Sequence, residues 1–458
     1  MFHRFVRRAG ISATLIALCL MLVPFVAPAQ QQPQDLGEVR PRYEYEKSVI
    51  AVAPFNVSGT TVEMETVPRI IRNDLQLSGF FKMPEDQSRV NRLNIADNRE
   101  NTIHYNRWAE MGVEHYIMGR VRENGDELSI EILLYDIETQ RNIMNRRFVG
   151  PKAQIRDLAH QVSDAVVLYL KGVEGIARTR LLYVTEQVPG VKEIAIMDAD
   201  GFNARPLTDL GKLATTPAWG ANGTEYYFTS YHGNRANVYG MTLRPDEALS
   251  FRPGQMWTIA AYGGTNHSPA WNQRTRRLAM VLSKDGNSEI YTVARDGSDL
   301  QRVTRSSSTD GSPAWSPDGS RVAFTSNRAG GAHIFIADAD GSNVRRVTTR
   351  GSWNDALDWS PDGQRLVFVS RIDGVNDIYI CDVSGNEASY RRLTMNQGQN
   401  ESPTWAPNGV HLAFASNRSG NWHIYTMLDD GSNQRQLTGV GRNTMPDWGP
   451  FLAENNRE

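Results

Sequence analysis

Tryptophan recurs at a nearly fixed interval through the second half of the chain. Trp219, Trp271, Trp315, Trp359, Trp405 and Trp448 stand 52, 44, 44, 46 and 43 residues apart. Self-similarity at about 40–50 residues marks a propeller or a solenoid, so this period constrains the fold before anything else does.

One repeat reads as four short strands. Strand A holds the tryptophan, Pro313-Ala-Trp315. Ser316-Pro-Asp-Gly319 is a turn, because Pro presets φ and Asp-Gly accepts tight conformations. Strand B is Arg321–Thr325, β-branched and aromatic. Asn327–Gly330 turns the chain into strand C, His333–Ala337. Asp338-Ala-Asp-Gly341 turns it again into strand D, Val344–Thr348. Helical solenoid repeats need amphipathic helices, and none fits. Four antiparallel strands per repeat describe a propeller blade.

Strand B occurs six times, at Leu181–Thr185, Glu225–Thr229, Arg277–Val281, Arg321–Thr325, Arg365–Val369 and His411–Ala415. The first copy has no tryptophan strand before it, and Trp448 has no strands B to D after it. Placing Trp448 in the first blade closes the ring and leaves no free edge. The expected class is therefore multidomain: a six-bladed β-propeller over 178–450 behind a smaller N-terminal unit, with a polar tail at 451–458.

Residues 1–29 read as a cleaved signal peptide. Arg4, Arg7 and Arg8 form a basic start, Ile11–Val26 is apolar, and Ala27-Pro-Ala29 places cleavage between Ala29 and Gln30. Arg7-Arg8 also fits a twin-arginine signal, so the export route stays open. Formal charge is −2, and losing the three arginines takes it to −5, which argues against a nucleic-acid surface. Cys381 then remains as the single cysteine, so no intramolecular disulfide can form.

Residues 30–47 read as a flexible polar arm, and 48–175 as an α/β domain. In the latter, Ser48–Phe55 is a buried strand, and Met64–Leu77 is a helix stopped at Ser78-Gly79. Residues 84–102 read as a polar linker. Tyr105–Met111 is a short helix, and three strands follow over 114–149. Lys152–Leu170 is an amphipathic helix with Ile155, Leu158, Val162 and Val166 on one face.

The chain holds no nucleophile elbow, zinc-protease helix motif, phosphate loop or dinucleotide fingerprint. Asp338-Ala-Asp-Gly341 resembles the start of a calcium loop but lacks the further oxygen ligands. His232, His267, His333, His411 and His423 fall in different repeats. The expectation is no enzyme, no cofactor and no metal. An exported hydrolase whose propeller gates a catalytic site, or a ligand-binding propeller, are the competing readings.

Because the chain reverses at each turn, the A–B and C–D turns share one face, and the B–C and D–A connections share the other. The first face carries the repetitive Asp-Gly turns. The second carries irregular segments at 209–216, 261–268, 305–312, 349–356, 395–402 and 439–445. Function concentrates in loops that differ while a scaffold repeats, so the second face is the candidate binding face.

Over about 48–450 the chain resembles the TolB family of the Tol–Pal system. The resemblance rests on Ile50–Phe55, Asp74–Phe80, Trp108 before Gly112, Ile117–Arg120, Arg156–His160 with Ser163-Asp164, and the Trp-Ser-Pro-Asp-Gly repeats. It implies a non-enzymatic, monomeric periplasmic adaptor with two partners. Pal, a peptidoglycan-binding lipoprotein, would dock on the D–A face. The implied contacts are Thr265, Asn266, His267 and Ser268, and Asp310, Gly311 and Ser312, with Asn354, Asp355, Asn400 and Glu401 at the rim. TolA, anchored in the inner membrane, would capture the arm through Gly37, Glu38, Val39 and Arg40, which here precede Pro41.

Overall fold

The computed structural model describes residues 45–58, 65–243, 254–372 and 374–452. Ala29, Gln30, Gly37, Glu38, Val39, Arg40 and Met64 lie outside them.

The N-terminal half is a mixed sheet between two pairs of helices. Its strands are β1 (Ser48–Val52), β2 (Asn56–Ser58), β3 (Phe81–Lys82), β4 (His115–Asn124), β5 (Glu127–Asp136) and β6 (Arg141–Pro151). The order is β3-β1-β4-β5-β6, with β2 beside β4. The β1 strand runs parallel to both neighbours, and β4, β5 and β6 form an antiparallel meander. Strand period sorts the side chains into two cores. Ile50 and Val52 face helices α1 (Thr66–Leu77) and α4 (Ile155–Lys171), against Val67, Ile71, Leu75, Val162 and Val166. Ala51 and Ala53 face α2 (Gln87–Glu100) and α3 (Tyr105–Ala109), against Val90, Leu93, Trp108 and Tyr116. Gly119 is fixed by this packing, since a Cβ there would sit 2.4 Å from the Phe55 ring.

Helix α2 corrects the expectation of a linker over 84–102. Asp86 caps it by accepting from the Arg89 N–H at 2.9 Å, and Asn101 ends it in the left-handed conformation. Its buried face is only half apolar. Asn94 accepts from the Tyr116 hydroxyl at 2.7 Å, and Asp97 accepts from the Trp108 indole at 2.8 Å. Polar residues that would mark a linker thus pack inward, because partners elsewhere in the chain satisfy them.

The second half is a ring of six four-stranded sheets. Blade one contains Arg180–Val188, Val191–Asp198 and Arg205–Pro206. Its innermost strand is Arg442–Trp448, paired antiparallel with Arg180–Val188. Blades two to six start at Ala214, Asn266, Asp310, Trp353 and Asn400. Ring closure by the Trp448 strand is therefore observed. The innermost strands begin earlier than expected: in blade four the strand spans Asp310–Trp315 and not only the three residues ending at the tryptophan. Cys381 is buried in a strand of blade five, and burial pushes its thiol up to about 12. No helix among the described residues is long and apolar enough to cross a membrane.

The C-terminal end of α1 plugs into blade six. A helix ends with carbonyls that lack intrahelical partners. Here the propeller supplies donors: Asn433 Nδ2 reaches the Leu77 carbonyl at 3.0 Å, and His411 Nε2 reaches the Ser78 carbonyl at 3.0 Å. Burial pulls the His411 pKa down to about 4, so the ring is neutral with its proton on Nε2. Gly79 follows at φ +77°, with Leu428 packed where a side chain would go. Tyr45 donates to Asp429 at 2.9 Å, and Asn408 donates to the Glu174 carbonyl at 2.9 Å. These contacts fall on A–B and C–D turns, so the α/β half sits on the face of repetitive turns.

Candidate partner interface

The ring presents the expected contact residues through one repeated distortion. Every innermost strand loses register midway, between Thr215 and Ala218, His267 and Ala270, Gly311 and Ala314, Asp355 and Asp358, Glu401 and Thr404, and Thr444 and Asp447. A left-handed residue sits at each bulge: Thr216, Ser268, Ser312, Ala356, Ser402 and Met445, all with φ between 45° and 53°. Proline follows in five of the six, where a bulge needs no backbone N–H. Holding an L-residue in that region costs of order 1 kcal/mol, so six repeats of it must be set by the ring as a whole.

The structure divides the expected contact residues into two kinds. Asn266, Asp310, Asn354 and Asn400 are fully buried, which corrects the expectation that they lie open among the contacts of the D–A face. They are blade-to-blade joints. The Asp310 N–H donates to the Ser288 carbonyl at 2.9 Å, and Asn354 and Asn266 repeat the bond to Ala332 and Ala236. Asp310 accepts from Arg328 at 2.8 and 3.0 Å. Burial raises the Asp310 pKa against those bonds. Asn266 Nδ2 donates to the Tyr262 carbonyl at 3.0 Å, and Asn400 accepts from Arg418 at 2.8 Å.

The remainder stay accessible. Thr265 is exposed, and its N–H donates to Ser283 Oγ at 2.8 Å. His267, Ser268, Gly311, Ser312, Asp355 and Glu401 are half-buried around the channel mouth. The His267 ring nitrogen lies 3.0 Å from Ser268 Oγ, and burial lowers its pKa, favouring the neutral ring. Glu401 accepts from Asn376 at 2.9 Å, and Asp355 from Thr325 at 2.8 Å.

Sequence reasoning missed the apolar part of this face. Val440 is 82% exposed, Val188 61% and Tyr231 41%. The closing strand pairs Arg442 with Glu186, and Val440 and Val188 each lie two residues beyond that pair, toward the tip of blade one. Arg442 lies over the Trp422 ring beside them. The available signal was a valine isolated between Gly439 and Gly441, where a solvated turn favours polar residues.

Toward the opposite face the channel opens into a cavity of about 900 Å³ lined by the six tryptophans. Two aspartates there tie neighbouring blades. Asp447 accepts from the Trp219 N–H at 2.6 Å, and Asp358 from the Trp405 N–H at 2.8 Å. Burial raises the Asp447 pKa to about 7. The turn residues Asp318 and Asp340 cap their own loops, accepting from the Ser320 and Ser342 N–H groups at 3.0 and 2.8 Å. Among the described residues, the one group spaced like metal ligands is Asp74, His160 and Asp200, away from the channel.

Two family descriptions match the chain: the TolB amino-terminal domain over residues 44–143 and the TolB beta propeller domain over residues 169–452. The Tol-Pal system protein TolB of Anaeromyxobacter dehalogenans is 32% identical over 305 residues, 65% of each chain. That of Nitrosococcus oceani is 30% identical over 223 residues, 47% of this chain and 48% of the relative. The chain spans about half the length of several curated relatives it matches. Among solved structures, TolB from Acinetobacter baumannii aligns with a TM-score of 0.77 at 25% identity, covering 88% of this chain and 97% of that one. With both halves matched in order, the chain belongs to the TolB family of Tol–Pal system proteins.

Proposed function

We propose that this protein is a non-enzymatic periplasmic adaptor that links the inner-membrane Tol complex to Pal and so supports outer-membrane integrity and constriction during division. The D–A face is the Pal-binding face in this reading, and the arm at 30–47 is the TolA ligand. One observation carries the choice of face. The α/β half sits on the A–B and C–D turns of blades six and one, while Val188 and Val440, the two most exposed propeller valines, and the accessible Thr265, His267 and Glu401 lie on the other side. Apolar anchors ringed by satisfied polar groups are the usual anatomy of a protein interface.

The test is titration of the mature protein with the soluble domain of Pal. The double variant His267→Ala, Ser312→Ala is expected to lose about 2 kcal/mol, roughly thirtyfold in Kd. Val440→Asp, which buries a charge in the same contact, is expected to lose at least as much. Asp318→Ala with Asp340→Ala should leave affinity unchanged and lower stability. Binding lost in the turn variant but kept in the other two would move the partner to the opposite face. No binding by the parent protein would end the Pal reading. A chain starting at Tyr45 should keep its melting temperature and lose capture by TolA. Equal capture would reassign that contact.

A further inference from the structure

The tryptophan-lined cavity carries charge that ring closure does not require. The residue before each tryptophan lines it. In blades two, three and four that residue is Ala218, Ala270 and Ala314. In blades five, six and one it is Asp358, Thr404 and Asp447. Each of these three accepts from the tryptophan N–H of the next blade. Asp358 takes Trp405 at 2.8 Å, Thr404 takes Trp448 at 3.3 Å, and Asp447 takes Trp219 at 2.6 Å. Alanine has no acceptor to offer, yet blades two to four join the ring as the others do. Blade six manages with an uncharged hydroxyl. Two ionisable groups therefore stand where the scaffold needs none.

Their charge is not balanced locally. Asp355, Asp358 and Asp447 line the cavity, and the described lining contains no Lys, Arg or His. The closest guanidinium groups, those of Arg321 and Arg365, lie over the Trp359 and Trp405 rings and are not part of the lining. Asp355 accepts from the Thr325 hydroxyl at 2.8 Å. Asp358 uses both oxygens, accepting from the Trp359 and Trp405 N–H groups and from the Thr404 hydroxyl. Asp447 is different: Trp219 binds Oδ2, and no described residue donates to Oδ1. Desolvated carboxylates at close quarters are costly unless a proton or a cation joins them.

The rest of the wall selects the kind of cation. Across from the acidic side stand the three alanines, Trp219, Trp271 and Trp315, all apolar toward a ligand. Calcium would take six or more oxygens, and magnesium a near-ideal octahedron. Half of this wall supplies none, and the acidic half has already committed most of its oxygens. About 900 Å³ is instead the size of a small-molecule site, which ranges over about 300–1,000 Å³. We propose that this cavity binds a small organic cation, a primary ammonium on an apolar body. The ammonium donates to Asp447 Oδ1, and the body lies against the alanine side. The site is on the face opposite the proposed Pal contact and does not depend on that reading.

Proton and ligand then compete for one carboxylate. Burial, and after it the charge of Asp358, raise the Asp447 pKa to about 7. Burial raises Asp358 as well, against its three bonds, so it acts in the same direction. Below the raised value Asp447 is a neutral acid. Above it the carboxylate is exposed to its own desolvation and to Asp358, and a bound ammonium relieves both. Affinity must therefore rise with pH.

The test is calorimetric titration of the full mature chain with 2-phenylethylamine at pH 6 and pH 8, where the amine is charged throughout. One site is expected, about tenfold tighter at pH 8, because a group of pKa about 7 goes from about one-tenth to about nine-tenths ionised over that span. The neutral alcohol 2-phenylethanol has nearly the same shape and should bind at least about tenfold more weakly at pH 8. Asp447→Asn keeps an acceptor for the Trp219 N–H, so it should fold, as a melting curve will show. It should weaken the amine by about tenfold or more and abolish the pH dependence. No heat from millimolar amine overturns the proposal, and so does equal affinity for the alcohol, a comparison that needs no variant. Parent-like binding by Asp447→Asn overturns it too. Calcium chloride that binds through Asp447 while the amine does not would make this a metal site instead.

Discussion

A chain truncated after Gly441 will lose cooperative melting of its propeller. The missing strand supplies the innermost position of blade one, paired from Arg442 opposite Glu186 to Trp448 opposite Leu181 across its one bulge. Trp448 packs among Ile176, Leu181, Tyr183, Ala413, Ala415 and Ile424, and its indole N–H donates to Thr179 Oγ1 at 2.8 Å. Asp447 reaches forward to the Trp219 backbone, so the same strand also fixes blade two. Replacing Trp448 by Ala alone should cost about 3–5 kcal/mol through the cavity it leaves. Removing the strand also unpairs the inner edge of Arg180–Val188, and the sum is comparable with the 5–15 kcal/mol that holds a typical protein folded. Thermal unfolding followed by near-ultraviolet circular dichroism checks this. A truncated protein that melts with the parent would mean the ring closes without the C-terminal strand.

That closure was legible because it is a matter of counting: six B strands, but tryptophan strands displaced by one position along the chain. Repeated turn chemistry made the blades readable in the same way, since each Asp-Gly turn carries its own local reason. Helix α2 was not readable. Its stripe is only Val90 and Leu93, and what completes it is Asn94 and Asp97, whose partners Tyr116, Trp108 and His104 come from other elements. The seating of α1 on blade six was hidden for the same reason. Ser78 and His411 are 333 residues apart, and neither looks unusual alone. The bulged strands misled in the opposite sense. A left-handed residue followed by proline interrupts the alternation, so the polar residues before it read as loop.

Asp310 shows what that misreading would cost in an experiment. Taken as a central contact residue, it is a natural target for an interface scan. Asp310→Ala should instead destabilise the fold by an amount near the lower end of about 3–5 kcal/mol, the usual penalty for breaking a buried ion pair. Its carboxylate is fully buried, and it is bound at 2.8 and 3.0 Å by Arg328, whose side chain retains some solvent contact. That contact moderates the loss. Arg328 cannot simply swing out, because its guanidinium is stacked 5.2 and 5.1 Å over Phe324 and Phe335 and bonded to Ser326 at 2.8 Å. It would be left as a cation held on two aromatic faces with no counter-ion. Asp310→Asn, which keeps an acceptor, should cost less than half as much. Thr265→Ala, one repeat earlier in the chain and exposed, should stay within about 0.5 kcal/mol. Urea unfolding of the three variants, beside titration with the Pal domain, separates joint from contact. If Asp310→Ala melts with the parent and loses affinity, it is a contact residue after all. If it loses stability while the folded fraction binds normally, the polar start of the inner strand serves the fold, and the partner reads only the residues that follow it.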